Sequence, residues 1–287
     1  MKMDFVKYSA QGNDYIVIDP NKAPINFDIE WVRKICDRRT GIGADGVLYG
    51  PHLVNGKLGL EVYNSDGSAC GKSGNGLRVF SRYLVDNDYV QSDSFNIWLI
   101  RLAQSVAVQR LPAHNQFLVS LGSFCLESKK VPVIMDKKKT VLNEPFHIAG
   151  KDMSISCVDI GNPHCVVFGQ PANRATAELL GPLISQHSMF PNKTNVQFVN
   201  IVDPSCIEVE TWERGSGYTL ASGSSACAAA AVCHTLGLVD ADVTVVMPGG
   251  KMSVFIDPDC TLNLVGSVAH VFSGMFSYDF EKGMQNV

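Results

Sequence analysis

The sequence lacks any run of about 20 continuous apolar residues, the length that a membrane-spanning helix needs. Its start, Met1 to Phe5, carries an early acidic residue and no apolar signal region, so we expect a cytoplasmic protein. Basic residues are sparse too: no Lys/Arg run is longer than Lys137 to Lys139, and the net charge is −4. Nucleic acids and anionic membranes require a concentrated basic patch, which leaves a small molecule or another protein as the expected partner.

Cysteines are present, but they follow no disulfide or metal-binding pattern. The nine cysteines are an odd number, are scattered along the chain, and include no C-x-x-C pair. We therefore expect most of them to be buried thiols, and no metal site. A phosphate-binding fingerprint and a cofactor-lysine motif are absent as well, so no cofactor is expected. With 46% hydrophobic and 18% charged residues, the 287-residue chain has the composition of a globular protein with a substantial core.

The feature most suggestive of chemistry is a Ser-Gly turn that occurs twice. Ser73-Gly74-Asn75 and Ser222-Gly223-Ser224 each precede a run that predicts a helix. Serine is a favoured N-cap, and glycine allows the backbone to approach a ligand closely. Each helix start would then offer unpaired N–H groups to an anion.

The spacing around these turns predicts an internal duplication. A Gly-Asn turn at Gly12 lies 61 residues before Ser73, and a second at Gly161 lies 61 residues before Ser222. Strand-like segments end nine residues before each serine, and helical runs of equal length follow, over residues 73–90 and 222–239. Four matched spacings with a period near 149 residues indicate two related halves.

The duplication predicts an α+β fold of two pseudo-symmetric domains, each a curved β-sheet or barrel around a central α-helix. We place the first domain at residues 1–122, with residues 272–287 returning to it, and the second at 123–271. The site is expected in the cleft between them. The second helix consists of small and apolar residues all round, so it should be buried.

Shorter patterns complete the expected secondary structure. Strands are predicted at Phe5–Tyr8, Tyr15–Asp19 and Leu58–Asn64, and a helix at residues 29–38. Residues 95–145 read as strands separated by polar turns and carry no recognisable chemistry.

Two equivalent groups suit a reaction that is itself nearly symmetric. Inversion of a carbon centre needs a base that removes a proton from one face and an acid that delivers one to the other. The two helix starts would hold the substrate carboxylate and stabilise the negative charge that develops when the α-proton leaves.

Seven segments spread over almost the whole chain carry a family resemblance. They are residues 12–19 (GNDYIVID), 39–46 (RTGIGADG), 64–68 (NSDGS), 73–78 (SGNGLR), 161–164 (GNPH), 195–199 (NVQFV) and 213–217 (ERGSG). In this order they resemble the diaminopimelate epimerases, cofactor-independent isomerases of the amino-acid racemase and epimerase superfamily. The resemblance implies the two-domain fold, a role in lysine biosynthesis, and a dimer.

The resemblance also implies a role for individual residues. Ser73 and Ser222 stand where the family has its two catalytic cysteines, and His164 and Glu213 match the pair that tunes them. The other matching positions are expected to bind substrate. They are Asn13, Asn64, Asn162, Asn195 and Arg214 for the distal carboxylate and amine, and Gly74, Asn75, Gly223 and Ser224 for the reacting carboxylate.

The serines are a large chemical departure from that family. A free thiol has a pKa near 8.5, whereas an alkoxide is scarcely populated at neutral pH, so two hydroxyls should turn over slowly or not at all. Tyr218, in place of the family's Glu, and Lys72 are further departures. Cys70 and Cys227 lie at unmatched distances from the serines and are poor substitutes for them.

Three hypotheses follow. The first is a diaminopimelate epimerase whose cysteines are serines, by laboratory substitution or by natural divergence. The second is a racemase of another amino acid, such as a histidine-racemase-like enzyme, for which Tyr218 and Lys72 are the argument. The third is a catalytically silent protein that binds an amino acid.

Overall fold

The structure, a computed structural model, describes residues 4–22, 28–111, 115–135 and 139–280. The chain divides into two compact units. One contains the residues up to Val119 and those from Gly266 onward, and the other contains Ser120–Val265. Of the segment expected to return to the first domain, residues 272–280 lie in the first unit, and residues 281–287 are outside the described residues.

The first unit consists of strands and two helices. Its helices are α1 (Ile29–Cys36) and α2 (Gly74–Asp86). Its strands are β1 (Asp4–Ala10), β2 (Asn13–Ile18), β3 (Gly46–Val54), β4 (Lys57–Asn64), β5 (Ala69–Cys70), β6 (Ser94–Leu99), β7 (Gln104–Leu111), the beginning of β8 (Gln116–Ser123) and, from the end of the chain, β18 (Ala269–Met275).

The second unit repeats this plan. Its helices are α3 (Arg174–Ser185) and α4 (Gly223–Thr235). Its strands are β9 (Glu144–Ile148), β10 (Lys151–Asp159), β11 (Pro163–Phe168), β12 (Asn195–Asp203), β13 (Cys206–Glu213), β14 (Gly217–Thr219), β15 (Asp242–Met247), β16 (Gly250–Ile256) and the greater part of β17 (Thr261–Ser267).

The strand pairing within each unit confirms the duplication. In the first unit β2 pairs parallel with β3, β3 antiparallel with β4, and β4 parallel with β6. In the second, β11 pairs parallel with β12, β12 antiparallel with β13, and β13 parallel with β15. The flanking strand β1 pairs with β18 and β10 pairs with β9, both antiparallel. The predicted α+β class, sheet-rich with a central helix in each half, is therefore confirmed.

In each unit the strands lie between an outer and a central helix. In the first unit α1 packs on a core with Ile16, Ile18 and Val47, while α2 contacts β1, β2 and β3. In the second unit α3 packs on a core with Val196 and Phe198, while α4 contacts strands β10 to β13. The side chains from Ala226 to Cys233 are fully buried, which confirms the prediction for α4.

The predicted helix ends were too late in three places. The helix expected over 29–38 ends at Cys36, because the extended Asp37 accepts the backbone N–H groups of Arg39 and Thr40 on its carboxylate and so competes with helical hydrogen bonding. The run from Ser73 ends at Asp86, followed by left-handed Asp88. The run from Ser222 ends at Thr235, and Gly237, with φ +69°, terminates it. Helix α3 was not predicted.

Candidate active site

Ser73 caps the central helix of the first unit. Its backbone is extended, and its Oγ accepts the N–H of Gly76 at 3.0 Å. The phenol oxygen of Tyr15 lies 2.9 Å from the same Oγ. A Cβ on Gly76 would come within 3.2 Å of Ser73 Oγ, so the glycine leaves the hydroxyl its space. Gly74, the first residue of α2, is buried beside it.

A chain of side-chain hydrogen bonds connects Asn13 and Asn75 in the same unit. Asn13 Nδ2 donates to Asp45 Oδ2 at 2.8 Å, and Asn75 Nδ2 donates to Asn13 Oδ1 at 3.2 Å. Arg78, which is fully buried, donates from Nη2 to Asn75 Oδ1 and to Gln11 Oε1. The predicted binding residues Asn13 and Asn75 therefore lie in direct contact.

This chain of bonds determines which way both amides point. Arg78 can only donate, so Asn75 must present its oxygen to it. At the other end, Asp45 Oδ2 also accepts the backbone N–H of Asp14, so Asn13 must present its NH₂ group there. Each amide oxygen thus already accepts a hydrogen bond, and the second N–H of each NH₂ group remains as a donor. Donors of this kind suit a carboxylate ligand.

Asp45 belongs to a cluster of two carboxylates, Asp14 and Asp45, and two cations, Lys7 and Arg38. The two terminal nitrogens of the Arg38 guanidinium donate to the two carboxylate oxygens of Asp14. Asp14 also forms an ion pair with Lys7 at 2.8 Å. Burial raises the pKa of Asp14, but the hydrogen bonds from Arg38 and Lys7 outweigh it and lower that pKa to about 2. Burial and the neighbouring charge of Asp14 raise the pKa of Asp45. Asp14 is thus the carboxylate that stays ionised most firmly.

Asn64 is not part of this chain of bonds. It ends β4, is exposed, and donates from Nδ2 to Ser68 Oγ at 3.0 Å across the turn that follows. Its backbone N–H donates to the Ser68 carbonyl of the same turn. Its side chain is therefore bonded within its own turn.

Ser222 caps the central helix of the second unit in the same manner as Ser73. Its Oγ accepts the N–H of Ser225 at 3.3 Å and lies 3.2 Å from Ser224 Oγ. Ser222 is only 5% exposed, and Gly223 behind it is buried. Gln197 donates from Nε2 to Ser225 Oγ at 3.0 Å, joining β12 to the start of α4.

His164 is completely buried next to this helix start. Its Nε2 lies 3.0 Å from Asn162 Oδ1, so the two residues of the Gly-Asn-Pro-His segment contact each other. Burial lowers the pKa of His164 to about 3; Gln197 opposes this shift and the charge of Arg214 adds to it. The imidazole is therefore neutral at physiological pH.

Asn195 forms hydrogen bonds with the backbone of two neighbouring segments. Its Oδ1 accepts the N–H of Arg214 at 3.0 Å, and its Nδ2 donates to the Pro163 carbonyl at 3.1 Å. The exposed guanidinium of Arg214 donates to the carbonyl of Asn192. Glu213, half-buried, ends β13 directly before Arg214. Asn195 thus ties the Arg214 segment to the strand that begins with Pro163.

Tyr218 lies on the other face of the sheet from His164. It is directly opposite Trp212 in the β13–β14 pair, and cross-strand neighbours share a face. Both rings pack on the core beneath α3, and Arg174 lies 5.0 Å from the Tyr218 ring. Burial and the hydrogen bond with Glu210 raise the pKa of Tyr218 to about 12. Tyr218, which stands in place of the family's Glu, therefore faces α3 rather than the start of α4.

Two contacting residues, Tyr15 and Gln197, were not predicted. Each lies two residues beyond a predicted asparagine on a strand, Tyr15 after Asn13 and Gln197 after Asn195. Side chains at i and i+2 of a strand share a face, so this alternation was the signal that could have identified them. This strand alternation does not identify the other contacting residues, which are Asp45, Arg78 and Gln11.

Neither a metal cluster nor a membrane span is found among the residues that the structure describes. No cluster of three or more His, Cys, Asp or Glu side chains there could hold a metal ion. None of the helices in that part of the chain is long and apolar enough to cross a membrane.

Comparison with known proteins identifies the family whose sequences this chain matches. The family model for diaminopimelate epimerase matches residues 5–100 and 156–271. Diaminopimelate epimerase 2 of Nostoc sp. is 41% identical over 276 residues, which is 96% of each chain. Diaminopimelate epimerase of Microcystis aeruginosa is 34% identical, over 96% of this chain and 99% of its own.

Solved structures agree on the fold. A probable proline racemase from Agrobacterium radiobacter superposes with a TM-score of 0.69, over 99% of this chain and 95% of its own, at 13% sequence identity. That likeness concerns the fold alone, while the sequence matches identify the relatives. The chain belongs to the diaminopimelate epimerase family of isomerases.

Proposed function

We propose that this chain binds diaminopimelate and epimerises it at the α-carbon by proton transfer through Ser73 and Ser222, at a rate limited by their hydroxyls. The observation that carries the proposal is the matching position of the two serines, each at the start of a central helix. Each caps the central helix of its unit. In the first unit Asn75, two residues after Ser73, bonds to Asn13, and in the second Asn162 bonds to His164 and Asn195 to the Arg214 segment.

The electrostatics of each helix start support carboxylate binding. The first backbone N–H groups of α2 and α4 follow Gly74 and Gly223, and the helix dipole favours an anion there. The Asn13 and Asn75 amides add donors with a settled orientation. Arg214, exposed and cationic, suits a second carboxylate such as the distal one of diaminopimelate.

The hydroxyls determine the expected rate. A thiol has a pKa of about 8.5, and an unperturbed hydroxyl resembles water, at about 15.7. The difference of about 7 units corresponds to roughly 10 kcal/mol, at 1.36 kcal/mol per unit. If about half of it is expressed in the transition state, turnover falls roughly a thousandfold to ten-thousandfold relative to a dithiol enzyme.

The test is exchange of the α-proton into deuterated water with LL-diaminopimelate, followed by mass spectrometry. The unmodified chain is compared with the double variant Ser73→Cys/Ser222→Cys, for which we expect at least a thousandfold gain. Ser92→Cys is the matched control, because it adds an exposed thiol beyond the C-terminal end of α2. Absence of exchange in the double variant would overturn the proposal.

The same experiment separates the two other hypotheses. A racemase of another amino acid predicts exchange with that amino acid and none with diaminopimelate. The position of Tyr218 beneath α3 weakens this alternative, since that side chain faces away from Ser225. A silent binding protein predicts a rise in melting temperature with the ligand but no exchange in any variant.

Location and assembly are also proposals. We propose that the chain acts in the cytoplasm on a small amino acid and forms a homodimer; the family resemblance supports both. Sedimentation of the purified chain would test the dimer, and a single species at 31.2 kDa would contradict it.

A further inference from the structure

Tyr15 contacts a proposed reacting atom, Ser73 Oγ, and has not yet been assigned a role. Its phenol oxygen is 2.9 Å from Ser73 Oγ, and the residue is 7% exposed. The ring packs against Gly46 on the neighbouring strand, where an added Cβ would lie 2.8 Å from Tyr15 Cε1. Because that glycine makes room for it, the phenol is held at Ser73 by packing.

The bonding at Ser73 Oγ permits proton exchange with this phenol. The oxygen has one hydrogen and two lone pairs, and the N–H of Gly76 uses one lone pair. The second lone pair can accept the phenol hydrogen, or the serine hydrogen can be donated to the phenol. A proton can therefore pass either way between the two oxygens.

We propose that Tyr15 is a further proton-transfer residue, paired with Ser73; this rests on the proposed function. When Ser73 delivers its hydroxyl proton to the α-carbanion, the phenol proton of Tyr15 moves to Ser73 Oγ and leaves a phenolate. In the reverse direction Ser73 Oγ takes the α-proton as its own proton returns to the phenolate, and the C–H electron pair remains on the carbon.

The relay would help because a phenol is a stronger acid than an aliphatic hydroxyl. A phenol ordinarily ionises near pH 10, about 6 units below a water-like hydroxyl. A phenolate is thus far more populated than an alkoxide at working pH. The relay would allow a serine to exchange protons without forming a free alkoxide.

The second unit is arranged differently at the corresponding position. His164 lies three residues after Gly161, as Tyr15 lies three after Gly12. His164 Nε2 bonds to Asn162, and the Ser222 Oγ lies 3.2 Å from the Ser224 hydroxyl. The relay therefore belongs to the Ser73 half, and the two proton transfers should differ in rate.

The first experiment does not depend on turnover. In the Ser73→Cys background, the apparent pKa of the introduced thiol is read from the pH dependence of its alkylation by iodoacetamide, followed by peptide mass spectrometry. A phenol that donates to the thiolate stabilises the charged form, so Tyr15→Phe should raise that pKa by about one unit. Tyr63→Phe removes a phenol bound to Glu61 in the same unit and should leave it unchanged.

The second experiment measures catalysis. In the unmodified chain, Tyr15→Phe should lower kcat for exchange at least tenfold with KM unchanged, and in the Ser73→Cys/Ser222→Cys background less than threefold. Equal losses in both backgrounds, or an unshifted thiol pKa, would overturn the role of Tyr15. Failure of the proposed function is separate: it appears as no exchange in the double thiol variant, whatever residue occupies position 15.

Discussion

The buried imidazole of His164 makes the stability of the protein depend on pH in a calculable way. Its pKa is lowered from 6.5 to about 3, because burial penalises the imidazolium. In the unfolded chain the same side chain titrates at its ordinary value. Between the two pKa values the unfolded state binds a proton that the folded state does not, so lowering the pH favours unfolding.

The size of the effect follows from the same shift. Above pH 6.5 neither state is protonated and the stability is fully present. At pH 5, about 1.5 units below the unfolded value, the folded state has lost about 2 kcal/mol, at 1.36 kcal/mol per unit. Near pH 3 the loss is about 4 kcal/mol, since the folded state then begins to bind the proton as well. The loss begins where histidine ordinarily titrates and continues down to the folded pKa.

The measurement is the free energy of unfolding in urea between pH 7.5 and 4.5, for the unmodified chain and for His164→Gln. The glutamine cannot titrate, so the variant should lack about 2 kcal/mol of the decline seen in the unmodified chain between pH 7 and 5. The raised pKa of Glu210 acts in both proteins and cancels in the difference. Asp14, with a pKa of about 2, loses its contribution below this range.

A parallel decline in both proteins would refute the reasoning, because it would mean that His164 does not carry the shift. His147→Gln serves as the control, since its side chain is 64% exposed and pairs with exposed Asp152. Its pH profile should follow that of the unmodified chain.

Two further predictions concern the hydrogen-bond chain at Asn13. Gly266→Ala would place a Cβ 2.9 Å from Nε of the buried Arg78, so we expect a loss of roughly 1–3 kcal/mol in urea unfolding. Asp45→Asn removes the charge on the acceptor of Asn13 Nδ2, and we expect diaminopimelate to bind about tenfold more weakly by calorimetry, roughly 1.4 kcal/mol.

Matched variants keep both predictions specific. Gly215→Ala adds a Cβ that meets nothing within 4 Å, so its unfolding free energy should change little; an equal loss there would contradict the clash argument. Asp203→Asn changes an exposed carboxylate that bonds only within its own turn. If it weakens binding as much as Asp45→Asn does, the orientation of Asn13 is not the cause.

Local patterns predicted the secondary structure well where they were strong. The segments Phe5–Tyr8 and Leu58–Asn64, predicted as strands, lie in strands. Both Ser-Gly turns begin helices, because an N-cap acts within three residues. The helix ends were less well predicted, since a competing local bond at Asp37 and left-handed residues beyond Asp86 decide them. The substrate-binding and catalytic roles of the site residues stay predictions.

By itself, the sequence determined the duplication, the two capped helices and the residues that resemble an epimerase, because spacing and capping are local properties. Only the tertiary structure decided the partners of those residues. Arg78 reaches Gln11 across 67 positions, Tyr15 reaches Ser73 across 58, and Tyr218 turns toward α3. Such contacts depend on which strands become neighbours and which face each helix covers, and no local pattern encodes that.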